Sequence, residues 1–535
     1  MHLHSAHPVG LAIGNWLRLV SAFLASVAAM WIGTKLMRGP VSMAVSGTVA
    51  VLLVALLLFT WRGLPLSTLL SRRLRRRRYS SSDPPETVDH RLSWANDNRE
   101  TIRMAGHELI AVVAVDGPSH SPSVLDHNRV QSAAMLPVGV VAAALRQFDV
   151  MLSGIDIVGA GRRRAPDGRH NHAATYSRML GDHPAVGQRH TWCVLRLNTI
   201  DNVAALASRD SVAAAMAVCA QRLVTELNAH GCPARLISGR ELDDLDEKLE
   251  AGQMDGARVG WGGVSTAGGT VGGYWVTPRD ITTSTLDRLW VPDTEATVTT
   301  VQLRPAEDDG VDIGVLVRYR TGGAQKEPPI TGLNPLTGRH DLAIRASLPD
   351  PQTRVLRVPH RRIISDEDLR TPIGSTGIVI GVTATRLPLL VPLDDARSER
   401  LATVTVAGEF ALLVQVAVRS AAAGFDVVVV TDRPRRWHDV AGSSLQVLTA
   451  LPGELGGGGG NAIVVVHDHS EIADTPDAAV LVRAVERGSA SVADVHLEQD
   501  SNTTAVVRTN DFRYRVHIDV QAERNLIAAA NRRVA

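Results

Sequence analysis

Lysine is almost missing from this 535-residue chain, which has only Lys35, Lys248 and Lys326. None of them follows a glycine, so no G-x-x-x-x-G-K-[ST] phosphate loop can be written, and P-loop ATP hydrolysis is excluded by residue type. Cysteine is equally scarce: Cys193, Cys219 and Cys232, with no C-x-x-C spacing. An odd, scattered set builds neither a disulfide framework nor a thiolate zinc site, and it suits a reducing compartment. Aromatic residues make up 4% of the chain and the net charge is +1. No RNA-binding signature or aromatic platform accompanies the basic residues, which argues against nucleic acid as a partner. The H-E-x-x-H metalloprotease pattern is absent too, and His107-Glu108 stands alone.

What the chain does have is length and two early apolar runs. Val41 to Trp61 passes without a single charge. As a helix it covers roughly 31 Å, the thickness of a hydrocarbon core. A weaker run, Leu19 to Thr34, lies between Arg18 and the pair Lys35 and Arg38; snorkelling basic side chains can extend such a span by a turn at each end. With so short a connector the two runs predict an antiparallel transmembrane hairpin, with spans at about 19–34 and 41–61. Trp16, Trp31 and Trp61 sit in or beside these runs, and tryptophan favours the headgroup level. A signal peptide fits less well, since no Lys or Arg precedes Arg18 and no clear A-x-A site follows.

Arginine then arrives in a burst: Arg62, Arg72, Arg73, Arg75, Arg76, Arg77 and Arg78, with no acidic residue before Asp83. The positive-inside rule places the bulk of the chain in the cytoplasm, anchored to the inner membrane by two spans. Arg72, Arg73, Arg75, Arg76, Arg77 and Arg78 are also candidates for contact with anionic headgroups, at ~1 kcal/mol per residue near the surface.

The expected organisation is a hairpin over 1–66, a basic juxtamembrane segment and linker over 67–100, a first cytoplasmic α/β region over 101–375 and a C-terminal α/β region over 376–535. The strand 109–115 and the strand 192–197 are valine- and leucine-rich. Between 211 and 230 a helix is expected, with Ser211 as N-cap and Gly231 as its stop. A helix is also expected over 137–147, a strand over 148–158, an acidic exposed helix over 241–250 and strands at 296–303 and 311–320. The glycine-rich stretch 252–280 reads as irregular. Further on, Leu389–Leu393 is a weak strand that Pro388 and Pro392 would confine to a sheet edge. The apolar strands Ala402–Val406, Asp426–Thr431 and Ile463–Val466, with a helix near 409–423, predict a parallel Rossmann-like sheet buried on both faces.

That sheet lacks the nucleotide fingerprint. The turn after Val406 reads Ala407-Gly408-Glu409, one glycine followed by an acid that would repel a pyrophosphate. Asp432 lies near where a ribose-binding acid belongs, but it stands alone. His467, Asp468, His469 and Glu471 cluster at a strand end, where open α/β sheets hold ligands. Only His467 and His469 could share a face there. Gly263-Val264-Ser265-Thr266-Ala267 approaches a nucleophile elbow but ends in alanine. The pentaglycine Gly456–Gly460 precedes a strand and reads as a linker. No catalytic, cofactor-binding or metal-binding residue is assigned, and no cofactor is implied. The competing reading is a membrane-tethered enzyme using a nucleotide sugar or dinucleotide, with Asp432 or the His467–Glu471 cluster in its site.

The anchor, the arginine run and the segment LRQFDVMLSGIDIVGAGRRR, together with TWCVLRLN, HGCPARLIS and GFDVVVVTDRPRRW, resemble the EccE component of the type VII (ESX) secretion apparatus of mycobacteria. The resemblance spans about residues 10–450. It implies a structural, non-enzymatic inner-membrane translocon subunit assembling with EccB, EccC and EccD, of which EccC would be the ATPase.

Overall fold

The computed structural model describes residues 9–11, 16–36, 40–61, 64–67, 70, 77–80, 85–91, 99–126, 129–162, 188–249, 254–325, 327–351, 356–364, 367–373, 377–395, 401–438, 440–442, 444–451, 462–468, 478–489, 492–520 and 524. Two helices come first, α1 (Trp16–Leu36) and α2 (Pro40–Leu58). Only three residues join them, so they run antiparallel. The second helix ends at Leu58, short of the expected Trp61. Phe59–Trp61 is extended and pairs with Val9–Leu11, which holds the two outer ends of the hairpin together.

The helix contact is built from small residues: Ala22, Ser46 and Ala50 are buried, and Gly33 presses against Ser46. Large apolar side chains point outward instead, with Phe23, Trp31, Met43 and Val51 each exposed by 65% or more. Ser26 and Thr48 turn their hydroxyls onto the carbonyls of Phe23 and Ala44, at 2.7 and 2.8 Å. Among the described residues no helix is long and apolar enough to cross a membrane. The α2 helix carries no charged residue over its 19 positions.

The body begins with β1 (Arg77–Arg78), β2 (Glu86–Arg91), β3 (Arg99–Ala105), β4 (Glu108–Val115), β5 (Ser123–Asp126), β6 (Arg129–Ser132), β7 (Gly154–Arg162) and β8 (Gln188–Asn198). Helices α3 (Val212–Ala229) and α4 (Gly239–Lys248) follow, then β9 (Arg258–Val259), β10 (Val264–Thr266), β11 (Gly269–Val276), β12 (Ala296–Pro305) and β13 (Val311–Thr321). One sheet takes the order β1-β9-β10-β11-β13-β12-β7-β8-β4-β3-β2, and its pairings are antiparallel. The first α/β region expected over 101–375 is therefore built on an antiparallel sheet. Local rules still set the ends of its helices. Ser211 accepts the Ala214 N–H at the start of α3, and Gly231 takes φ +71° after it. Ser238 and Glu241 form a reciprocal capping box on α4. That helix is not wholly exposed, since Leu242 and Leu245 are buried and Asp246 holds Arg103 at 2.7 Å.

The glycine-rich stretch is ordered as strand. Gly273 sits where a β-carbon would stand 2.5 Å from that of Ala343, so its missing side chain lets the helix His340–Ala346 lie directly on β11. The segment 137–158 is also more broken than expected. Its helix covers only Val138–Ala143, and a tight hairpin pairs Arg146–Gln147 with Val150–Met151.

The C-terminal half contributes β14 (Ile378–Val382), β15 (Pro388–Val391), β16 (Ala402–Ala407), α5 (Phe410–Ala422), β17 (Asp426–Thr431), β18 (Leu445–Leu448), β19 (Ile463–Asp468), β20 (Val480–Val485), β21 (Val495–Ser501), β22 (Thr504–Thr509) and β23 (Arg513–His517). A second sheet runs β18-β17-β19-β20-β16-β21-β22-β23-β14-β15-β5-β6. From β18 to β21 the pairing is parallel, and α5 packs its apolar face on that part. Beyond β21 it is antiparallel. Strand β15 is not an edge strand despite its prolines. Leu389 and Leu390, between Pro388 and Pro392, pair with Val124 and Ser123 of β5. Strands β5 and β6 thus belong to the second sheet, across the boundary placed at 375.

Candidate functional site

The turn where a Rossmann-like sheet would cradle phosphates is filled by the protein itself. The side-chain oxygen of Gln499 accepts the Glu409 backbone N–H at 2.7 Å, at the mouth of α5. A β-carbon on Gly408 would meet the same oxygen at 2.8 Å, so the bare glycine admits the Gln499 amide, which takes the backbone N–H that a pyrophosphate would need. The Glu409 carboxylate faces Arg524 at 3.0 Å. Asp432 is exposed on the loop after β17 and pairs with its neighbour Arg433 at 3.5 Å.

Of the histidine–acid cluster, His467 and Asp468 are buried at the end of β19; His469 and Glu471 lie outside the described residues. Asp468 is committed to structure: it accepts from Trp437 Nε1 at 2.9 Å and Thr431 Oγ1 at 3.2 Å. No group of three His, Cys, Asp or Glu among the described residues is arranged to hold a metal ion. Ser265, in the elbow-like pentapeptide, lies on β10 in antiparallel pairing and not on a strand-to-helix turn. Among the basic residues proposed for headgroups, Arg77 and Arg78 form β1, whereas Arg72, Arg73, Arg75 and Arg76 lie outside the described residues, as does the pentaglycine.

Sequence reasoning missed a polar seam where the two sheets meet. Asp116, His120, Arg189, His190 and Asp394 line a pocket between the loop after β4 and the loop after β15. Ser119 Oγ donates to Asp395 at 2.7 Å, and His120 Nδ1 lies 3.0 Å from the Pro392 carbonyl. Burial pushes the Asp116 carboxyl up to about 6 against the pull of Arg235. The same cause pulls Arg189 down to about 9, its guanidinium lying 4.0 Å over the Trp290 ring. Its bonds run between the halves, from 119 to 395 and from 120 to 392. The seam therefore serves as a polar joint between the halves.

The more telling surface is apolar. Phe148, at the tip of the 146–151 hairpin, is 85% exposed and holds φ +56°, a conformation that is uncommon for a bulky side chain. Met151 on the same hairpin, and Ile200, Val203 and Val218, are also exposed. Asn202 bonds both backbone groups of Met151, at 2.8 and 2.9 Å, and so fixes the hairpin beside 200–203. Arg222, one helical turn beyond Val218 on α3, stacks 4.1 Å over the Phe148 ring. Exposed apolar side chains on elements tied together in this way, with an arginine stacked on the most exposed of them, mark a protein interface more often than a catalytic site. The LRQFDVM motif carries it; only the turn at Phe148 reveals it.

The family model described as "Putative type VII ESX secretion system translocon, EccE" matches residues 185–276, which include Ile200, Val203 and Val218 of this cluster. The ESX-5 secretion system protein EccE5 of Mycobacterium marinum is 32% identical over 396 residues, covering 69% of this chain and 96% of that protein. EccE5 of Mycobacterium tuberculosis is 34% identical over 316 residues, 55% of this chain and 77% of that protein. The ESX-2 secretion system protein EccE2 of the same species is 28% identical over 403 residues, 74% of this chain and 71% of that protein.

Proposed function

This chain belongs to the EccE family, and on that premise we propose that it is a structural, non-enzymatic membrane subunit of a type VII (ESX) protein secretion complex. Its relatives are named as secretion-system proteins and not as enzymes. The observation that carries the membrane part is the inside-out hairpin: small residues meet at the α1–α2 contact while Phe23, Trp31, Met43 and Val51 face outward. Water would drive the opposite sorting, whereas lipid tails solvate large apolar groups and leave close backbone packing to join the helices. The hairpin spans the inner membrane twice and leaves the body on the cytoplasmic side, beside the arginine-rich segment.

Subunits equivalent to EccB, EccC and EccD are the partners, and the Phe148 cluster is one surface that meets them. Purification of the full-length chain from native membranes in mild detergent tests this. A high-mass complex containing an FtsK-like ATPase is expected, and Phe148→Ser is expected to lower its yield without releasing the chain from the membrane. Recovery of the chain alone, in the soluble fraction, would overturn the reading. The filled turn at Gln499 argues against the dinucleotide enzyme, and a calorimetric titration with dinucleotides and nucleotide sugars is expected to show no saturable binding.

A further inference from the structure

Strand β1 enters the first sheet as its edge strand directly from the arginine run. It pairs with β9 so that Arg78 lies opposite Arg258 and Arg77 opposite Val259. The pairing is antiparallel, so the turn after β9 projects past Arg77, toward the end of the sheet where the chain arrives from the hairpin. That turn is Gly260-Trp261-Gly262-Gly263, and Trp261 at its tip is 45% exposed. Arg78 and Arg258, the cross-strand pair one residue further from the turn, are exposed.

The turn is held rigidly. Gly260 N–H donates to the Gly263 carbonyl at 2.8 Å, and Gly338 N–H donates to the Trp261 carbonyl at 2.9 Å. Buried His340 accepts the Gly273 N–H on Nδ1 at 2.9 Å. Its Nε2 therefore carries the proton and donates to the Trp261 carbonyl at 3.1 Å. Three hydrogen bonds thus fix the backbone while the indole stays partly exposed. Fifteen residues, 62–76, separate Trp61 from β1. Fully extended they reach no more than about 50 Å, so this edge of the sheet cannot leave the neighbourhood of the anchor.

We propose that the Trp261 turn is a second membrane contact, in which the indole enters the headgroup layer of an anionic leaflet while Arg78 and Arg258 meet its phosphates. Tryptophan is favoured at that depth and arginine beside it gains from the negative surface potential. The contact would orient the body on its anchor, with the β1 edge facing the bilayer and the Phe148 cluster left for protein partners. This inference rests on α1 and α2 being a membrane anchor, and the experiment separates the two claims.

The three native cysteines are buried, so a single new cysteine can carry a spin label in the full-length chain. A side chain at residue 262 has room, since its β-carbon would sit 3.6 Å from that of Ala324. Labelled Gly262→Cys protein is reconstituted in phosphatidylglycerol vesicles, in phosphatidylcholine vesicles and in detergent. In phosphatidylglycerol the label is expected to lose most of its collisions with a water-soluble nickel relaxant and to gain collisions with oxygen. Adding Trp261→Ala, or Arg78→Glu with Arg258→Glu, is expected to restore water access. A label at Phe148→Cys should stay in water throughout. Resistance to alkaline carbonate extraction reports the anchor separately. Protein that resists extraction while its 262 label keeps full nickel access overturns the contact but leaves the anchor standing. Protein that carbonate extracts overturns both.

Discussion

Gly33 of α1 lies against Ser46 of α2 so closely that a β-carbon on the glycine would overlap the serine hydroxymethyl group. The two positions share one steric allowance. Gly33→Ala is therefore expected to destabilise the hairpin by ~1–3 kcal/mol, the usual cost of overpacking. Ser46→Gly, added to it, is expected to recover most of the loss. Thermal unfolding of the full chain in detergent measures both; effects that simply add would show the contact to be absent.

Asp156 is a second shared position. It is fully buried, with Arg196 Nε at 2.7 Å and Arg304 on its other oxygen. Arg196 also donates to the Leu348 carbonyl at 3.1 Å, so the carboxylate ties β7, β8 and β12 to the segment after the helix 340–346. Asp156→Asn strands two buried guanidinium groups and is expected to cost about 3–5 kcal/mol. Chemical denaturation reads the change, and a loss below about 1 kcal/mol would mean that solvent reaches the triad.

Glu100 on β3 gives a pH dependence. The residue is buried, and neither carboxyl oxygen has a hydrogen-bond partner among the described residues. Burial raises its carboxyl to about 9, from an unfolded value near 4.5. Below pH 4.5 the group is protonated folded and unfolded, and its contribution to stability is complete. Between 4.5 and 9 folding must take up a proton, so stability falls as pH rises, by up to ~1.4 kcal/mol per unit. Glu100→Gln is expected to remove that slope and raise stability at neutral pH. Denaturation midpoints from pH 5 to 9 decide it, and parallel curves for the two proteins would sink the idea.

Phe148 sets stability against assembly. Its left-handed backbone costs roughly 1–2 kcal/mol, and the Arg222 stack returns about 0.5–1 kcal/mol. Phe148→Gly is expected to leave the folded chain as stable as the parent, or up to ~1 kcal/mol more so, while lowering the yield of the detergent-solubilised complex. A variant that unfolds more easily would assign the ring a role in the chain's own core instead.

Most of the fold's vocabulary can be read in the chain. Valine runs gave β4, β17 and β19, and Ser211 and Gly231 bounded α3, because these signals act within a few residues. The failures were long-range. The glycines of 260–273 signal an irregular loop until Ala343 comes to lie on Gly273. Pro388 and Pro392 signal an edge until β5, more than 250 residues earlier, covers it.

The same division holds for function. By itself the sequence determined the two apolar runs, the arginine burst that follows them and the absence of a P-loop, since composition and spacing carry those properties wherever the chain folds. Only the tertiary structure decided that small residues line the hairpin contact, that Gln499 takes the backbone N–H at the phosphate turn, and that Phe148 is left exposed and Trp261 partly so. Each of these depends on residues far apart in sequence competing for the same space, and no local pattern records the outcome.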